Sequence, residues 1–232
     1  HGSLIRGALK RRNTSGGPSG RIFSFPDGLA ELPRAIAASL GLAVRLATPV
    51  ISLRPLAQGW EIVSDGPDGA ITEEFSALVC ALPADALAAL PFANVPAADR
   101  LAVLREIEHP PVASVFTGFA RANVGHALDG FGVLVPQVEK RRILGTLFSS
   151  TLFAERAPAG HVAVTSFVGG SRSPELAGLD DAELLRVVQG ELEHMIGARG
   201  APVFTHIQRW PRAIPQYTLG YQRFKDAIAG VE

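Results

Sequence analysis

Six histidines, one cysteine and a scatter of hydroxyls and carboxylates are the groups that could move protons, attack an electrophile or hold a metal. The histidines are His1, His109, His126, His161, His194 and His206, and no two stand at metal-ligand spacing. Glu191 and His194 form one Glu-x-x-His. A di-iron carboxylate site needs that motif twice, with two more carboxylates, so the pair reads as an exposed helix face. Ser149-Ser150 and Ser171-x-Ser173 lack the Gly-x-Ser-x-Gly elbow of a hydrolase. Cys80 sits in an apolar run, where a buried thiol is usually inert. No nucleophile is matched with a base, so no catalytic residue and no metal ligand is assigned. No Gly-x-Gly-x-x-Gly occurs: Gly130-x-Gly132 has Val135 at the third position, and there is no Gly-Lys pair for a P-loop.

The most informative stretch is Gly130-Phe131-Gly132-Val133-Leu134-Val135-Pro136, two glycines around an aromatic ring with an apolar strand following at once. Glycine lacks a Cβ, so a bulky planar ligand could approach the backbone closely there. Arg142-Ile143-Leu144-Gly145-Thr146-Leu147-Phe148-Ser149-Ser150 follows, then Phe153-Ala154-Glu155-Arg156-Ala157-Pro158. Ser166-Phe167-Val168-Gly169-Gly170 and Arg209-Trp210-Pro211-Arg212-Ala213-Ile214-Pro215-Gln216-Tyr217 complete the series. In this order and spacing the blocks resemble the protoporphyrinogen oxidase family, FAD-dependent porphyrinogen oxidases of the flavin amine oxidase superfamily. The resemblance runs from about Gly2 to Gly230.

The resemblance implies an α+β fold: a mixed β-sheet substrate-binding region with helices, plus part of an FAD-binding α/β domain lacking its N-terminal Rossmann half. It implies an interior piece of a longer enzyme, divided as a flexible lead-in (1–22), part of the FAD-binding domain (23–92), the substrate-binding domain (93–208) and a return toward the FAD-binding domain (209–232). It implies a porphyrinogen substrate, oxygen as acceptor, and an apolar slot with few polar groups. Carried over motif by motif, the slot residues are Phe131, Gly132, Leu134, Leu147 and Phe167. Val50 would meet the adenine end of FAD, and Trp210 the flavin. The family's substrate-carboxylate arginine would lie upstream of His1; Arg142, Arg156 and Arg172 are the arginines left that could meet propionates, though surface roles suit them. Tyr221-Gln222 departs from the His-centred version common in the family. Two rivals stay open. One keeps the fold with another substrate, as in amine oxidases or desaturases; the other is a tetrapyrrole-binding or dimerising module without turnover.

Composition sets the outer limits. At 47% hydrophobic and 19% charged, the 232 residues suit a globular chain of one or two domains. Twenty-two basic residues balance twenty-two acidic ones, which gives no field for nucleic acid. One cysteine excludes an internal disulfide and suits a reducing compartment. No apolar run approaches the roughly 20 residues that span a bilayer. A cytoplasmic or peripherally membrane-associated location is expected, with a homodimer compatible.

The periodicity predicts the elements that must position these residues. Leu29, Leu32, Ile36 and Leu40 share one helical face, ended by Gly41. Strands are expected over 44–46, 50–53, 60–64 and 71–75, with a turn at Asp65-Gly66-Pro67-Asp68-Gly69. The run 77–82 reads as a buried central strand, followed by a short helix over 85–90. Strands over 112–120, 143–148 and 162–168 are expected in one mixed sheet. Asp180 and Glu183 have capping-box spacing ahead of a helix over 181–196 that Gly197 ends. A last strand covers 203–208, and Tyr221, Phe224 and Ile228 mark a final helical face.

Overall fold

The computed structural model describes residues 23–231, so the lead-in over 1–22 lies outside the described residues. The chain divides into two compact units, His1–Val44 and Arg45–Glu232. In the first, the expected amphipathic helix forms as Glu31–Leu40. Glu31 Oε1 accepts from the Asp27 backbone N–H at 2.6 Å, satisfying a donor just ahead of the helix start. Gly41, at φ 53°, ends it.

The second unit holds two sheets. Strands β1 (Val50–Pro55), β2 (Trp60–Gly66) and β3 (Gly69–Phe75) form an antiparallel meander in the order β1-β2-β3. Gly66 pairs with Gly69 across the predicted turn. On the other side of the meander, Leu53 is bridged to Phe92 and fully buried. The segment 44–46 is no strand. Nor is 77–82, expected as a buried central strand: it is irregular, with Val79 87% and Leu82 48% exposed. A central strand needs a ladder on each edge to satisfy its N–H and C=O groups. Among the described residues no strand runs beside this one, and apolar composition alone cannot supply the partner. Cys80 is half-buried there, and burial pushes its thiol above the ordinary range.

The main sheet has five strands, ordered β5-β6-β7-β4-β8: β4 (Val112–Ala120), β5 (Gly132–Leu134), β6 (Gly145–Leu147), β7 (His161–Gly169) and β8 (Phe204–Trp210). All its ladders are antiparallel. Helix Asp181–Ile196 covers one face. Its start is capped as the sequence predicts, Asp180 Oδ1 accepting from the Glu183 N–H at 2.8 Å, and Gly197 closes it in the left-handed region at φ 63°. Leu184, Val188, Leu192 and Ile196 from the helix meet Val115, Phe119, Val164 and Val168 from the sheet in one buried core. Each such burial contributes about 1.5–3 kcal/mol. Arg209 fastens β8 to that helix, reaching Asp181 Oδ1 and the Leu179 carbonyl at 2.6 Å each. A second, smaller core joins Leu101, Leu104 and Ile107 to Phe224 of the last helix, Gln222–Ala229.

Glu191 corrects the expectation of an exposed helix face. It is only 9% exposed. Its Oε1 accepts from the Arg142 backbone N–H at 3.1 Å, and Arg141 lies 3.6 Å from its Oε2 and contacts His194. The Glu-x-x-His pair is therefore a tie between the β5–β6 connection and the helix. Periodicity places both residues on the helix but cannot show the arginine that neutralises a buried carboxylate.

Candidate functional site

Side chains alternate along each strand, so covering one face with a helix leaves the other face for different work. On that open face the register aligns residues in rows. Gly132, Leu147, Thr165, Phe116 and His206 form one row across all five strands. Leu134, Gly145, Phe167, Ser114 and Gln208 form the next, and Gly169, Val112 and Trp210 a third. Phe116 and Phe204 meet edge-to-face, ring centroids 5.9 Å apart.

Antiparallel pairing brings the start of β4, the start of β6 and the ends of β7 and β8 to the same end of the sheet. There the open face deepens into a cavity of about 640 Å³. Val112, Ser114, Phe167 and Trp210 contribute from the strands; Leu144, Gly170, Arg172, Arg212 and Gln216 are among the walls that the flanking segments supply. The lining is mainly apolar, and no carboxylate is part of it.

The segment after β8 is stapled in place by backbone contacts to the segment before β4. Ala213 N–H donates to Pro110 O at 3.3 Å, and Gln216 N–H to Glu108 O at 3.0 Å. His109 Nδ1 lies 2.9 Å from Ala213 O. A carbonyl can only accept, so Nδ1 carries a proton and donates. Nε2 is buried and has no partner among the described residues. His109 also borders a neighbouring cavity of about 550 Å³ that Tyr221 and Pro215 line.

The structure brings some of the sequence-derived site residues together and separates others. Phe167 and Trp210 line the cavity. Leu147 and Leu134 stand on the same face, on the next strands out, but outside the cavity walls; Leu134 is 87% exposed. Phe131, half-exposed, precedes β5, and its carbonyl accepts from Phe148 N–H at 3.0 Å. Gly132 has φ 154°, and a Cβ there would fall 2.3 Å from Thr146 O. The missing side chain thus makes room for the partner strand's backbone, a reason independent of any ligand. Val50 lies on β1, in the other sheet, and is no part of this cavity. Of the three arginines considered for propionates, Arg172 borders the cavity; Arg142 and Arg156 do not.

Sequence reasoning missed Val112, Ser114, Leu144, Arg212 and Gln216. The alternation of half-buried Val112, Ser114 and Phe116 with buried Ala113, Val115 and Thr117 marks one outward face of β4. Which strands flank that face is not written in β4.

A half-exposed indole on a cavity wall is a platform for a planar ring, so Trp210 fits the ring end of a flavin. The pyrophosphate of a dinucleotide wants the N–H groups of a glycine turn opening a helix, and the Gly-x-Gly-x-x-Gly spacing occurs nowhere in the 232 residues. Among the described residues no group of three or more His, Cys, Asp or Glu could hold a metal ion, and no helix is long and apolar enough to cross a membrane.

Residues 2–229 match the family described as flavin containing amine oxidoreductase. The chain is 35% identical over 222 residues to a mitochondrial protoporphyrinogen oxidase of Nicotiana tabacum, covering 90% of this chain and 44% of that protein. It is 24% identical over 234 residues to a coproporphyrinogen III oxidase of Bacillus subtilis, covering 97% of this chain and 48% of that one. The fold matches a crystal structure of a protein from Exiguobacterium sp. 255-15 with TM-score 0.70 at 23% identity, over 99% of this chain and 48% of the other. The chain thus spans about half the length of the relatives it matches.

Proposed function

The chain belongs to the flavin containing amine oxidoreductase family, and from that premise we propose that the protein carrying it oxidises a porphyrinogen to the porphyrin, with FAD as cofactor and oxygen as acceptor. Protoporphyrinogen IX and coproporphyrinogen III share the macrocycle, and relatives named for each exist. The observation that carries the reading is the open face. Leu134, Leu147 and Phe167 project on one side of three neighbouring strands, beside a mainly apolar cavity of about 640 Å³. A tetrapyrrole is a broad apolar disc, and such a ligand is held by apolar area with few polar groups.

FAD supplies the electron sink for hydride removal. This chain's residues do the holding. Trp210 would flank the flavin ring, and the Val50 backbone the adenine end. Leu134, Leu147 and Phe167 would cover the macrocycle and exclude water from the carbon that loses hydride, with Phe131 and Gly132 shaping the outer edge. Each hydride removed leaves a cation that sheds a proton, and because the lining holds no carboxylate that proton passes to water. In this reading 93–208 is the substrate-binding domain, and 23–92 and 209–232 are portions of the flavin-binding domain. A cytoplasmic or membrane-surface location and a homodimer belong to the same proposal.

The test is the appearance of porphyrin fluorescence when the complete flavoprotein is given chemically reduced protoporphyrinogen IX or coproporphyrinogen III. Turnover supports the reading. A flavin-loaded protein that leaves both untouched but oxidises a primary amine overturns it.

A further inference from the structure

The cavity has two cationic walls, and they differ in what offsets their charge. Arg212 Nε stands 3.4 Å from Asp85 Oδ2. Arg172 has no carboxylate partner among the described residues; its Nη2 donates to the Val135 backbone carbonyl at 2.6 Å. Arg45, Arg54, Arg141, Arg209 and Arg223 are also matched to carboxylates, whereas Arg105 and Arg121, away from the cavity, donate to backbone carbonyls as Arg172 does. Of the two cationic walls, Arg172, exposed at the cavity rim, is the one whose charge no carboxylate among the described residues offsets.

Its placement is enforced by the backbone. The chain leaves β7 through Gly169 (φ 103°) and Gly170 (φ 64°). A Cβ on Gly169 would fall 2.6 Å from Pro111 O and 2.9 Å from the Ala177 Cβ; one on Gly170 would fall 3.1 Å from a Leu144 methyl. At Gly169 the backbone of Pro111 leaves no room for a side chain, whereas at Gly170 the Leu144 methyl would have to shift by a few tenths of an ångström and the positive φ favours glycine. It carries Ser171 and Arg172 across the end of the sheet, two residues beyond Gly170 at most. The Val135 carbonyl then fixes one guanidinium nitrogen, and Val135 is itself held by its N–H to Leu144 O at 3.0 Å. One donor of the planar fork is spent on the anchor, and four N–H groups are left. A pre-oriented guanidinium at the edge of an apolar cavity is suited to a carboxylate, which it can engage by two parallel hydrogen bonds.

We propose that Arg172 is a further specificity-determining residue, pairing a carboxylate on the rim of the ligand in this cavity and so favouring an anionic macrocycle over uncharged or cationic substrates. The proposal rests on the porphyrinogen reading and adds to it the group that recognises a propionate.

The experiment compares wild type, Arg172→Gln and Arg172→Lys in the complete flavoprotein, each checked for flavin content and Tm. The substrates are reduced protoporphyrinogen IX and its dimethyl ester. For Arg172→Gln, KM for the free acid rises about tenfold or more with kcat little changed. KM for the ester stays at the wild-type value, and Arg172→Lys recovers part of the loss. Equal losses on acid and ester, or no loss on either, overturn the proposal. If wild type turns over neither substrate, the porphyrinogen reading fails separately. Quenching of tryptophan fluorescence by protoporphyrin IX and by its dimethyl ester then reads Arg172 directly. A preference for the free acid that Arg172→Gln abolishes supports the assignment, and no preference overturns it. Should Arg172→Gln not fold, Arg172→Lys still decides, because a point charge in place of the fork must weaken the free acid selectively.

Discussion

Phe167 and Trp210 stand on the same face of the five-stranded sheet, on strands β7 and β8 with β4 between them, and both line one cavity. Phe167 pairs with Ser114 and Trp210 with Val112, so the two rings are offset by one row of the pleat. They are 43 residues apart in sequence, yet strand pairing makes them neighbours across a single intervening strand. A planar cofactor against one ring and a flat substrate against the other would occupy the same pocket.

Phe167→Ala should therefore impair binding more than folding. Phe167 is only half-buried on the open face, whereas Leu192 is fully buried against the opposite one. In the complete flavoprotein the Phe167 variant should raise KM for protoporphyrinogen by up to about tenfold at nearly unchanged Tm, since one lost aromatic contact is worth roughly 0.5–1.5 kcal/mol. Leu192→Ala should instead cost about 2–5 kcal/mol of stability with KM held. Steady-state kinetics beside chemical denaturation separates the two.

Gly132→Ala should damage the β5–β6 pair. The new Cβ would lie 2.3 Å from Thr146 O, a backbone atom that cannot move aside alone. Hydrogen exchange should speed up at the pairing amides of β5 and β6 while the core helix Asp181–Ile196 stays protected. Gly130→Ala is the contrast, because nothing lies within 4 Å of its notional Cβ. If Gly132→Ala leaves exchange unchanged, the close approach of the two strands is wrong.

The Arg54–Glu61 pair gives a pH dependence of known sign. Arg54 Nε and Nη2 reach the two carboxylate oxygens at 2.9 and 2.7 Å across the β1–β2 ladder. The hydrogen bond to Arg54 holds the Glu61 carboxyl below the ordinary carboxylate range. A depressed folded-state pKa stabilises fully above the unfolded value and loses that contribution as pH falls through the folded one. Wild type should thus exceed Glu61→Gln in Tm at neutral pH by a small, salt-sensitive margin, and the two should converge in acid. Carboxyl titration followed by NMR should place Glu61 below the ordinary glutamate range, and Arg54→Gln should bring it back up.

The 232-residue chain purified by itself should not retain FAD through gel filtration. The glycine turn that would hold a pyrophosphate is absent from its sequence, and Trp210 offers only a ring contact. The visible spectrum after incubation with FAD reads this directly. Stoichiometric yellow flavin on a monomer would show that the cofactor is held by residues assigned here no such role.

The sequence by itself determined the local elements whose signals are short-range. Asp180, Glu183 and Gly197 bound a helix that forms from Asp181 to Ile196, because caps and left-handed glycines act within one turn of chain. The turn before β3 and the strands around Phe116 and Val164 were legible for the same reason. The blocks around Phe131, Leu147, Phe167 and Trp210 sufficed for the family. Tertiary structure decided what needs a partner. The run 77–82 carries the apolar pattern of a central strand, but among the described residues nothing pairs with it, and Val79 is exposed. Glu191 looked like a solvated helix residue until Arg141 and the Arg142 N–H came to it from 50 and 49 positions away. The cavity exists because antiparallel order brings the ends of four strands together. Arg172 is informative there because it borders the cavity and no carboxylate among the described residues meets it. Strand order and charge pairing are non-local, since they depend on which segments meet, and each segment's own sequence is compatible with several neighbours.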